Sequence, residues 1–150
     1  MPIDRLPSWM QRPARRARRF LLTDATVLLI LGLGCIARGI SYSGLSTVPS
    51  HPAEAWFPIG VWSSIWIALG VLCIGVSPWH QSVSAALAVA AGVALHLLWG
   101  LSFLWATVHG DMPRGWVSAI SYLMIVALIS WAVWRGSRDE VRVTEEPPRD

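Results

Sequence analysis

One histidine, His96, stands in the middle of a long apolar run and is the residue most able to do chemistry there. It lies on a ridge of spacing four, Ser84, Ala88, Gly92, His96 and Gly100, which a helix places along one face. Small residues at that spacing let two helices approach closely, and a histidine among them can donate a hydrogen bond across the contact. The first expectation is therefore that His96 fastens its helix to a neighbour. The second is a proton or ion path, because an ionisable group inside a bilayer costs about 2.5–3.5 kcal/mol and defaults to a functional role. Bis-histidine haem ligation needs a second buried histidine, and His51, His80 and His109 all fall in expected loops, so no cofactor is expected.

Two charges, Asp24 and Arg38, bracket the first apolar segment, and fourteen residues of helix place them about 21 Å apart, too far to pair. Asp24 is expected at the inner interface, favouring the positive end of its helix, and Arg38 at the outer headgroups, its stem along apolar surface. The alternative is that one of them lines a polar path with His96. In the two outer loops His51 and Glu54 could meet His109 and Asp111 around a divalent metal, but HPAE has no ligand-motif spacing, so solvated loop residues and no metal are expected. The chain has no nucleophile triad motif, phosphate loop, metal-protease motif or CxxC, and no enzymatic activity is expected.

The elements that hold these residues are set by composition. Apolar residues make up 54% of the chain and charged residues 14%, where soluble domains carry roughly a quarter charged, so the solvent is expected to be lipid. The apolar segments run at about 20–40, 58–76, 82–107 and 116–134, each close to the ~20 residues that cross a bilayer. The expected fold is an all-α membrane protein, an antiparallel four-transmembrane-helix bundle whose helices touch at Gly32, Gly34, Ala88, Gly92 and Gly100. Trp62 and Trp66, one turn apart, and Trp99 and Trp105 are expected in packing or lipid contact, and most other tryptophans near the interfaces. Cys35 and Cys73 are expected to be free buried thiols, separated by about 15 Å in depth.

A basic leader, residues 1–19, precedes the bundle, and a charged tail, 135–150, expected to be disordered, follows it. Six of the twelve arginines lie in the leader and four in the tail, against Arg38 and Arg114 on the other side, so both termini are expected to face the cytoplasm. Arg12, Arg15, Arg16, Arg18 and Arg19 would then contact anionic lipid. The net charge of +3 comes from residues flanking apolar spans rather than from a basic surface, so no nucleic-acid partner is expected. A basic region before an apolar run also outlines a secretory signal, but Gly32-Leu33-Gly34-Cys35 lacks the leucine three residues before the cysteine, and no cleavage is expected.

The segment Ala37-Arg38-Gly39-Ile40-Ser41-Tyr42, the Pro-rich loop after it, and Trp56-Phe57-Pro58-Ile59-Gly60-Val61-Trp62 with Ile65-Trp66 resemble small four-helix membrane proteins of actinobacterial phages. The resemblance covers about a third of the chain and implies a phage or actinobacterial source. Such proteins are often encoded near tail and lysis genes, and no agreed site is carried over from them. The expected function is a holin-like or accessory phage membrane protein that oligomerises in the cytoplasmic membrane and permeabilises or depolarises it. The alternative is a non-enzymatic subunit or exclusion factor that binds another membrane or phage protein, and last an intramembrane enzyme or transporter using His96.

Overall fold

The computed structural model describes residues 7, 24–43 and 51–143, with side chains for 25–43 and 51–135. The leader arginines, residues 20–23 of the first expected span, the Asp24 side chain and residues 144–150 lie outside the described set. Among the described residues all regular structure is helical: α1 (Asp24–Ser41), a 3-10 turn (Pro52–Trp56), α2 (Ile59–Val76), a 3-10 turn (Ser77–Trp79), α3 (Val83–Val108) and α4 (Gly115–Val143).

The boundaries follow from local chemistry. Ser82 caps α3, its hydroxyl accepting from Ala85 N–H at 3.2 Å, which satisfies one of the unpaired amides of the first turn. Past the C-terminal end of α3 the chain turns at Gly110, whose φ of +82° suits a residue without a Cβ. The helix expected to stop at Trp134 continues to Val143. The charged stretch from Arg138 to Arg142 contains no proline or glycine to stop a helix, and composition alone does not register that.

Three stretches are long and apolar enough to cross a membrane: Ile59–Trp79, Val83–Val108 and Gly115–Arg135, with mean hydropathies of 2.1, 2.0 and 2.0. The apolar part of α1, Ala25–Ser41, is 17 residues, about 26 Å of helix.

Packing pairs α1 chiefly with α2 and α3 chiefly with α4. Along the first pair, a Cβ on Gly32 would stand 2.8 Å from Gly70 O, and one on Gly39 would stand 2.8 Å from Ser63 O. Further along, Ser77 Oγ donates to Ala25 O at 3.0 Å. Along the second, Gly100 faces Tyr122 and Leu123, and Gly115 faces Phe103 and Thr107. Backbones in such close contact gain dispersion energy from many atom pairs at once. This register places Cys73 level with residue 30 or 31 of α1, so the two thiols differ in depth by about 6 Å instead of 15 Å. Both cysteines are free and buried, and Cys73 Sγ donates weakly to Ala88 O at 3.8 Å.

Candidate functional site

At the end of α1, Arg38 and Tyr42 are four residues apart and share a face. The chain returns through His51 and the 3-10 turn, where spacing of three puts Glu54 beside His51, and α3 supplies Trp99 and Ser102 from positions three apart. These six side chains form one polar cluster, buried except for the half-buried Arg38. The Tyr42 hydroxyl accepts from Arg38 Nη2 at 2.9 Å and from Trp99 Nε1 at 3.1 Å, and donates to Glu54 Oε1 at 2.9 Å. All of its hydrogen-bonding capacity is used. Burial pushes the Tyr42 phenol above its ordinary value against the opposing pull of the Arg38 cation, which keeps the proton it donates to Glu54.

Ser102 Oγ accepts from Ala53 N–H at 2.9 Å and lies 2.9 Å from His51 Nδ1. Giving the serine hydrogen an acceptor makes Nδ1 the acceptor and puts the ring proton on Nε2. Nε2 is 3.3 Å from Glu54 Oε1 but poorly aligned for a hydrogen bond, so the contact is electrostatic. Arg38 Nη2 stands 4.0 Å from the same oxygen, and its guanidinium lies 4.6 Å from the centroid of the Tyr42 ring. A buried carboxylate is stable only with such partners, since its isolated charge would cost several kcal/mol.

These positions correct the expectation of solvated side chains in the loop between α1 and α2. His51 and Glu54 are each only 4% exposed, and Arg38 turns into the cluster instead of simply reaching toward headgroups. The turn at 51–56 and the loop after α3 do not join around a metal: His109 is exposed, donates from Nδ1 to Trp105 O and stacks on Trp105 at 4.1 Å. Among the described residues no group of three or more His, Cys, Asp or Glu side chains is placed to hold a metal ion. Compared with known proteins, the chain matches no family model, no curated protein and no solved structure.

His96 is buried below this cluster. Its Nδ1 donates to Gly92 O at 2.8 Å, one turn back on the same helix, so the bond runs within α3 and not across to a neighbour. The i−4 carbonyl is in easy reach of a ring held edge-on against Trp66 at 5.1 Å. Trp99 in turn meets Trp62 at 4.5 Å and Trp66 at 5.3 Å, both edge to face, a preferred aromatic geometry. Trp62, Trp66 and Trp99 are thus core residues, whereas Trp105 is exposed.

Of the small residues expected at contacts, Ala88 is fully buried, Gly92 faces Leu31 of α1, and Gly32 and Gly100 sit in the two main interfaces. Gly34 does not: a Cβ there would meet nothing within 4 Å. Close approach instead also uses Gly39, Gly70 and Gly115, which the sequence reading passed over. Tyr42, Trp99 and Ser102 are likewise cluster members that were not among the expected site residues. The available signals were Tyr42 four residues after Arg38, and a His-x-x-Glu spacing beside a proline that favours a helical first turn.

Proposed function

We propose that the chain is a four-span membrane protein, its helices antiparallel, both termini and the Ser77–Gln81 turn cytoplasmic, and the polar cluster at the outer end. In this reading it oligomerises in the cytoplasmic membrane and depolarises it, with the basic leader held to anionic lipid. The observation that carries the reading is α4: almost none of its apolar span is buried, and Trp116, Ile120, Met124, Leu128 and Trp131 are all exposed. A helix so apolar and so little covered fits contact with lipid or with a further helix. The resemblance to small phage membrane proteins points the same way. The test is a voltage-sensitive dye in actinobacterial cells induced to express the chain. Collapse of the potential is expected, and an unchanged potential and growth rate would count against the reading.

A second reading, a non-enzymatic subunit or exclusion factor that binds another membrane or phage protein, is favoured by the way the cluster anchors the Pro52–Trp56 turn. Anchored side chains at 51 and 54 hold Trp56 and Phe57 exposed beside them, as a preformed contact surface. Deleting residues 52–56 should then abolish co-purification of the partner, and unchanged co-purification would reject it.

A further inference from the structure

A cleft of about 330 Å3 opens along the bundle, lined by Val27, Leu31 and Gly34 of α1, His96 of α3, and Ile125 and Ile129 of α4, among others. Its size falls at the lower end of the ~300–1,000 Å3 typical of small-molecule sites. His96 is the one polar side chain in the lining, and it is only 6% exposed. A carbonyl can only accept, so the bond to Gly92 O fixes the proton on Nδ1 and leaves Nε2 of the neutral ring with a free lone pair. Nε2 has no hydrogen-bond partner among the described residues and is not sealed from the surface, and the ring that carries it lines the cleft.

A lone pair in apolar surroundings is costly without a donor, and nothing else in the lining can supply one. The complementary ligand carries a single neutral donor on an otherwise apolar body. A cation would lose its hydration in this lining, which offers no counter-charge. Among neutral donors, an aromatic hydroxyl is more acidic than an aliphatic one and forms the stronger hydrogen bond to imidazole. A flat ring also suits the space beside Gly34, where no side chain projects.

We propose that this cleft binds a lipid-soluble phenol, its hydroxyl donating to His96 Nε2 and its ring and tail packing on the aliphatic side chains of α1 and α4. The ligand would enter from the bilayer. Binding does not depend on whether the protein depolarises membranes, so the two ideas fail separately.

The test titrates the full-length chain in detergent micelles with a long-chain 4-alkylphenol, its methyl ether and an alkanol of equal length. Calorimetry reports binding. The phenol is expected to bind at least tenfold more tightly than the ether and the alkanol. His96→Leu should reduce that preference to under twofold while ether binding persists, and Gly34→Leu, which fills open space, should weaken all three ligands at least tenfold. Equal affinity for phenol and ether, a preference that survives His96→Leu, or indifference to Gly34→Leu would overturn the proposal. Equal affinity for phenol and alkanol would overturn the assignment to a phenol.

Discussion

Replacing Gly70 with alanine would place a methyl carbon 2.6 Å from Gly32 O and 2.9 Å from Ile36 N. Two of the nearest atoms are backbone, so α1 and α2 must separate by several tenths of an ångström along the pair that carries much of the bundle's packing. Overpacking of this kind costs about 1–3 kcal/mol, and a backbone contact belongs at the upper end. Alanine returns up to ~1 kcal/mol of helix propensity, leaving a net destabilisation of about 2 kcal/mol. Gly34→Ala has the same propensity gain and meets nothing within 4 Å, so it should be neutral or stabilise by up to ~1 kcal/mol. The propensity contributions cancel in the comparison, which isolates the contact at about 3 kcal/mol. Unfolding in mixed micelles by SDS titration, followed by circular dichroism, measures both. Two variants within ~0.5 kcal/mol of each other would refute the packing argument.

Tyr42→Phe removes the acceptor of Arg38 and Trp99 and the donor to Glu54, and should destabilise by about 2 kcal/mol in the same assay. Tryptophan emission should shift as the Trp99 indole loses its partner. Ser102→Ala strips the acceptor from Ala53 N–H and the partner from His51, and should cost about 1 kcal/mol. Hydrogen exchange should then speed up at residues 51–56 while α3 remains protected. Cys35 and Cys73 are both fully buried, so neither should react with maleimide in native micelles, and both should after unfolding.

The helices were legible because each apolar run is long and the junctions of α2 with α3 and of α3 with α4 carry Ser-Pro and Gly-Asp-Met-Pro-Arg-Gly breaks; the described limits fall within a few residues of the expected ones except at Val143, where no such break follows Trp134. The polar cluster was not, because loops are normally solvated and the Arg38/Tyr42 and His-x-x-Glu spacings mark neighbours within α1 and within the turn, not the return of residues 51–56 onto α3. That return depends on a hydrogen bond spanning 51 residues of sequence. Glycines divided in the same way. Gly32 and Gly34 look alike by spacing, but a helix turns 100° per residue, so Gly32 faces α2 while Gly34 faces the cleft. His96 is a buried polar residue in the middle of its apolar run, yet which atom accepts its proton is a matter of rotamer, which sequence does not carry.

The most direct test of the account is topology. In a Cys35→Ser, Cys73→Ser background, single cysteines are introduced by Ser43→Cys, Trp79→Cys and Asp111→Cys, all at exposed positions. Intact cells are treated with a membrane-impermeant maleimide, then lysed and treated again. The four-span reading predicts that positions 43 and 111 react from outside and position 79 only after lysis. Equal labelling of all three before lysis, or of position 79 alone, would contradict it.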